Sequence, residues 1–296
     1  MKPALTIQDQ ISLLKKRGLI IPDIKKAEQF LYNVSYYRLK GYWWDMQSDP
    51  VNHVFKANST FDTIVERYTF DRKLKLILFN AIERIEIALR TKMIYHLSHS
   101  HGPLWYKDYA LFANANKHHS NLGKLIAEFG YSKEVFVKNH KQKHPKSDPE
   151  AFKILEVASL GVLSKIYKNL NNQMPEKAMI SKGMGLVLFS ELSSWLEATT
   201  YVRNIIAHHS RLWSRNMVKQ PKTKIKSPRD WFANPLQTNQ VKKPFLIISA
   251  MIYLCDHISP NHSIKKQLKE LISVNSHLEL YKYGFQNDWA SEPLWQ

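Results

Sequence analysis

Arg203, Asn204 and His208, with His209 beside them, interrupt an apolar helical pattern in the thirteen residues "YVRNIIAHHSRLW", Tyr201 to Trp213. An imidazole titrates near neutrality and can move a proton. A guanidinium can clamp two phosphate oxygens, and an amide can orient either group. That set suits cleavage of RNA, which carries its own nucleophile in the 2′-hydroxyl. Such a reaction needs a base, an acid for the leaving 5′-oxygen and cations for the crowded phosphate. It requires no metal.

Wound at 3.6 residues per turn, a helix from about Ser190 to Trp213 turns Val202, Ile205, Ile206, Leu212 and Trp213 towards a core. Asn204, His208, Arg211 and Arg215 form a polar stripe. Arg203 lies beside it, followed by the small residues Ala207, Ser210 and Ser214, which would let another helix approach closely. The same stripe also fits a satisfied polar border, since an R-x-x-x-x-H spacing arises by chance. Two antiparallel copies across a two-fold axis would place two histidines and two arginines in one cleft, so a homodimer is expected.

A metal is not expected. His208 and His209 are adjacent and point about 100° apart on a helix, whereas a zinc pair normally sits at i and i+4. His118 and His119 share that defect. His53, His96, His140, His144, His257 and His262 read as surface or structural. No cofactor is expected either. Glycine is sparse, at 9 residues, and no Walker or dinucleotide fingerprint appears.

The elements that must hold these residues read as helices. The chain has 296 residues and is 44% hydrophobic, enough for a sizeable core. The longest helical period runs from Thr60 to Ser98, with Leu74, Ile77, Leu78, Ala81, Ile82, Ile85, Ala88 and Leu89 in register and no Pro or Gly. Glu83, Glu86 and Arg90 share one side of it, as either a surface ion-pair ladder or a support for the site helix. Earlier helices are read over "TIQDQISLLKKRGL" and "IPDIKKAEQFLYNV", the second starting at Pro22 and Asp23. "SYYRLKGYWW" follows, aromatic-rich and broken at Gly41. "HGPLWYKDYALF" reads as an aromatic loop, "SKEVFVKNHKQKHPKSDPE" as a basic connection and "FKILEVASLGVLSKIYKNL" as a helix. "PFLIISAMIYLC", Pro244 to Cys255, is too short for a membrane span and reads as a buried helix. Alternation at period two is scarce, so no extended sheet is expected.

Charge points to a polyanion. The net charge is +18, and neutralising phosphates releases counterions. The segment after the site, "SRNMVKQPKTKIKSPRD", carries Arg215, Lys219, Lys222, Lys224, Lys226 and Arg229 against Asp230, and reads as an exposed RNA-binding loop. One cysteine and no signal-like N-terminus suit a cytoplasmic protein with no membrane association.

The chain resembles the Abi-like proteins of bacterial phage defence, the abortive-infection group that includes AbiD and AbiF, within the HEPN superfamily. The resemblance begins at "YYRLKGYWW", continues through "YTFDRKLKLILFNAIERIEIALRTKMIYHLS" and "LEVASLGVLSKIYKNL", includes "VRNIIAHHSRLW" and finishes at "YGFQNDWASEPLW". It implies an all-α fold, a HEPN-type helical bundle with additional N- and C-terminal helices. The expected division is an N-terminal segment over 1–60, a core over 61–258 and an extension over 259–296. It also implies a dimeric, metal-independent endoribonuclease toxin. In the R-N-x-x-x-H motif Arg203 and His208 match the catalytic pair, and Asn204 is the polar residue between them. Glu86 and Arg90 match an E-x-x-x-R on the long helix and, with Arg211, are carried over as support. Some members of the family are restrained by a small RNA encoded nearby. A non-catalytic RNA-binding module, or a helical interaction protein, remains compatible with the residues alone.

Overall fold

The computed structural model describes residues 3–226, 231–233 and 235–296. Among these the fold is all-α, with thirteen α-helices and one two-stranded hairpin. Its axis is α4, and the elements before it in the chain are α1 (Ile7–Lys16), α2 (Ile24–Val34), α3 (Tyr36–Lys40), β1 (Gln47–Asp49) and β2 (Val54–Phe55). Asp23 caps α2 by accepting from the Lys26 N–H, as its sequence indicated.

Helix α4 (Phe61–His101) runs 41 residues, starting at Thr60, whose hydroxyl accepts from the Thr63 N–H. Its buried row is Leu74, Leu78, Ala81, Ile82, Ile85, Leu89, Met93 and Leu97. Each buried leucine there contributes ~1.5–3 kcal/mol. The same row extends backwards, at steps of three and four, to Asp71 and Arg67, both buried.

The chain then passes through α5 (Ala115–Tyr131), α6 (Val135–Lys143), α7 (Ala151–Ile154), α8 (Leu160–Asn169), α9 (Pro175–Gly183) and α10 (Phe189–Ala207). It ends with α11 (Thr238–Lys242), α12 (Pro244–Ile258) and α13 (Ile264–Val274). Helices α8, α9, α10, α12 and α13 all pack on α4. Helix α12 is buried on every side from Pro244 to Cys255, which is why its sequence is apolar throughout. No helix among the described residues is long and apolar enough to cross a membrane.

Two stretches differ from the sequence expectation. The basic connection contains α6, anchored by buried Val137 and by His140, whose ring packs edge-on against Phe129. The expected helix over 152–170 is broken at Ala158 and Ser159. There the Glu128 carboxylate accepts from the Ser159 N–H at 2.8 Å and hydroxyl at 2.7 Å, where a fresh helix, α8, begins.

Candidate RNA-cleaving site

Helix α10 lies against α4, α8, α9 and α12 and carries Arg203 and Asn204 near its end. It stops at Ala207, not near Trp213. The Ser210 N–H reaches the Ile205 carbonyl at 2.9 Å, and the His209 N–H reaches that of Ile206 at 2.9 Å. That pair of bonds is a Schellman motif, in which the residue after the cap turns left-handed. His209 takes that position, with φ 53°, where glycine is usual. His208 is the cap itself and is exposed.

The proposed helical stripe is therefore corrected. Only Asn204 and His208 remain on it, and the row of Ala207, Ser210 and Ser214 does not exist as a helix face. Arg211 and Arg215 turn back into the following loop. Arg211 Nη1 donates to the Trp213 carbonyl at 2.5 Å, and Arg215 Nε donates to the Arg211 carbonyl at 2.9 Å. Leu212 and Trp213 are buried as their types demand, but from a loop.

The loop is held by a carboxylate that the sequence reading did not single out. Asp71 on α4 is fully buried. It accepts from the backbone N–H of Leu212 at 3.1 Å and of Trp213 at 2.9 Å. It also accepts from the hydroxyls of Tyr42 at 2.8 Å and Tyr283 at 2.7 Å, and pairs with Lys75 at 3.1 Å. Burial, reinforced by that carboxylate, pushes both phenols far above their ordinary range, so they stay donors. Lys75 also donates to the Ser210 carbonyl at 3.2 Å, and Arg38 donates to that of His209 at 2.6 Å. The turn bearing His208 is thus fastened by α3, α4 and the C-terminal segment. The signal was present: Arg67 and Asp71 put charges into an apolar row. Arg67 lies 4.7 Å over the Trp213 ring, bonds the Tyr42 carbonyl at 2.9 Å and pairs with Asp45 and Glu279.

Arg203 faces elsewhere. It lines a cleft of about 350 Å³ with Phe79, Ile82, Glu83, Glu86, Ile87 and Arg90. Arg90 Nη2 bridges the Glu86 carboxylate at 2.9 Å and the Ala158 carbonyl at 3.0 Å, tying α4 to the start of α8. Burial raises the Glu86 carboxyl above its ordinary value, against the pull of Arg90 and Arg203. The structure thus brings Arg203 together with Glu86 and Arg90, whereas Asn204 and His208 do not line that cleft. Five residues of helix turn Arg203 and His208 about 140° apart around the axis. Arg211, the third support residue, seats its stem against Gly41. A Cβ at Gly41 would lie 2.8 Å from Arg211 Cδ.

The basic segment folds back along α10 towards its start. Lys219 pairs with Glu197 at 2.6 Å, and Lys222 Nζ donates to Ser190 at 3.2 Å. The Lys226 N–H meets Glu191 at 2.7 Å. Ser190, Ser194, Glu197, Tyr201, Asn204 and His208 follow one another at steps of three and four, so the segment lies over the row that His208 ends. Lys222, Lys224 and Lys226 are exposed, and Arg215 is half-buried. Arg229 lies outside the described residues. Among the described residues no group of three His, Cys, Asp or Glu side chains could hold a metal ion.

These features define an all-helical protein with a histidine displayed at a fastened helix end. The sequence model of the Abi-like protein family matches residues 29–214, from within α2 through the loop that Asp71 holds. The chain belongs to that family. No curated protein and no solved structure matches it.

Proposed function

We propose that the chain is a metal-independent endoribonuclease of the HEPN superfamily, acting as an RNase toxin in abortive-infection phage defence. The observation that carries this reading is His208 itself, solvent-open at the end of α10, on a turn whose carbonyls and amides are held by Arg38, Lys75 and Asp71. An imidazole there exchanges protons with a bound substrate, while its backbone stays fixed.

Arg203 lines the cleft beside Glu86 and Arg90, about 140° around the α10 axis from His208. A homodimer pairing the Arg203 of one subunit with the His208 of the other completes the site. In that site Arg203 holds the scissile phosphate. His208 makes one of the two proton transfers, taking the 2′-hydroxyl proton or protonating the departing 5′-oxygen, and water makes the other. The 2′-oxygen bonds to phosphorus as the P–O5′ bond breaks, leaving a 2′,3′-cyclic phosphate and a 5′-hydroxyl. Asn204, beside Arg203, orients the phosphate, and its Oδ1 lies 3.5 Å from Arg203 Nη1. Glu86 and Arg90 set the direction of Arg203, and Arg211 supports the turn. Lys222, Lys224 and Lys226 bind flanking phosphates, joined by Arg215, Lys219 and Arg229. A small RNA that occupies this basic track would restrain the enzyme at rest.

The test is purified protein with labelled RNA in EDTA, followed by analysis of the ends. The reading requires cyclic phosphate ends from the wild type and none from His208→Ala with an unchanged melting temperature. Salt-sensitive binding with no scission by either protein would instead mark a non-catalytic RNA-binding module.

A further inference from the structure

We propose that the outer face of α3 and the turn after it, carrying Tyr37, Lys40 and Trp44, is a platform on which unpaired RNA bases stack as the strand approaches His208. The inference rests on reading the chain as an RNA-cleaving protein and names its substrate as single-stranded at the site.

The segment Tyr36–Trp44 divides its aromatic residues. Trp43 is buried and packs edge-on against Tyr36 with ring centres 5.0 Å apart. Their sequence neighbours face out, Tyr37 with 85% and Trp44 with 53% of its surface exposed. These two rings leave flat surface open to water. Lys40 follows Tyr37 by three residues on α3, which puts the two on one side of it, and Trp44 comes up to Lys40 from the turn beyond. Lys40 Nζ stands 5.5 Å from the centre of the Trp44 ring, within reach of the phosphate of a base stacked there.

The charge around the rings suits the same ligand. Asp45, next to Trp44, is compensated by Arg67 at 3.1 Å and Lys282 at 2.9 Å. Arg17 donates to the Tyr36 hydroxyl at 2.7 Å, and Lys56 to the Asp45 carbonyl at 2.8 Å, adding cations at the rim. Rings alternating with cations are the pattern that binds single strands with little sequence preference, because every base offers a π face. A duplex keeps its bases stacked inside and gains nothing from the rings. A second protein copy would meet lysine and arginine between the aromatic residues, which a strongly basic chain does not complement.

The platform also lies beside the proposed site. Arg38 donates to the His209 carbonyl at 2.6 Å, and Gly41 lies against the Arg211 stem. One edge of α3 therefore forms the wall of the His208 turn while the adjoining edge carries the rings.

The test uses full-length His208→Ala protein, fluorescence anisotropy and a labelled RNA of about a dozen nucleotides, single-stranded or annealed to its complement. Tyr37→Ala and Trp44→Ala should each weaken single-strand binding about tenfold. Tyr37→Phe and Trp44→Phe should retain most of it, and duplex binding should not change. Unchanged single-strand affinity in the double alanine variant overturns the platform, as does equal loss on duplex. A shift in sedimentation without a shift in RNA affinity also overturns it and assigns the face to a second copy. If the His208→Ala parent binds no RNA, the platform and the nuclease reading fail together. If the ring variants lose binding while wild-type protein never cuts, the nuclease reading falls and the platform stands.

Discussion

The Tyr283 hydroxyl donates to the Asp71 carboxylate at 2.7 Å across 212 residues of chain. That bond joins the C-terminal segment to the carboxylate that also holds the Leu212 and Trp213 amides. Removing a charge-assisted hydrogen bond costs ~1.5–3 kcal/mol, so Tyr283→Phe should lower the urea midpoint by a corresponding amount. Asp71→Asn leaves Lys75 without its buried partner and should cost ~3–5 kcal/mol. A Tyr283→Phe midpoint equal to wild type would show that the C-terminal segment does not fasten the loop.

The two adjacent histidines should separate cleanly. His209 holds a left-handed backbone at φ 53°, which costs a non-glycine residue about 1 kcal/mol. His209→Gly should therefore keep or raise the melting temperature and keep RNA cleavage, whereas His208→Ala should abolish cleavage. Loss of cleavage in His209→Gly with intact folding would move the chemistry to the other ring.

Glu86 gives a pH signature. Burial raises its carboxyl above the ordinary value, so the fold disfavours the ionised form. The penalty is absent below the unfolded pKa and fully present above the raised folded one. A neutral amide carries no such penalty. The melting temperature of Glu86→Gln relative to wild type should therefore rise as pH climbs from the ordinary glutamate range through the raised folded value, while cleavage falls because Arg203 loses its guide. A difference that is flat or declines with pH contradicts this account of the cleft.

Lys222, Lys224 and Lys226 should contribute through phosphates alone. Replacing all three with Gln in the His208→Ala background should reduce the slope of log affinity against log salt by about two for a single strand. An unchanged slope would place the RNA away from the segment that folds over α10.

Much of this arrangement could be read from the residues. The period of Leu74, Leu78, Ala81, Ile85 and Leu89 gave α4 because a buried face 41 residues long leaves a repeating mark. Asp23 marked the start of α2 and the apolar run after Pro244 marked α12. The end of α10 was not legible. Leu212 and Trp213 prolong the helical period by coincidence, and no glycine marks the stop at His209. What ends the helix is a carboxylate distant in sequence, drawing two amides to itself. Arg203 was read as lying beside the stripe, but its place in the cleft with Glu86 and Arg90 depends on how α10 packs on α4. Asp71 and Arg67 were detectable as charges on an apolar row, but their partners lie in loops no periodicity describes. All of α6 was missed, read as a basic connection, because only Val137 and His140 among its residues are buried.

The central claim is that each site takes Arg203 from one subunit and His208 from the other. Mixing Arg203→Ala and His208→Ala proteins, each inactive alone, tests it most directly, with differently tagged chains co-expressed so that heterodimers can be isolated. The heterodimer holds one intact pair across subunits and none within a subunit, so it should cut RNA to cyclic phosphate ends at a readily measured fraction of the wild-type rate. A purified heterodimer as inactive as its parents would contradict the claim.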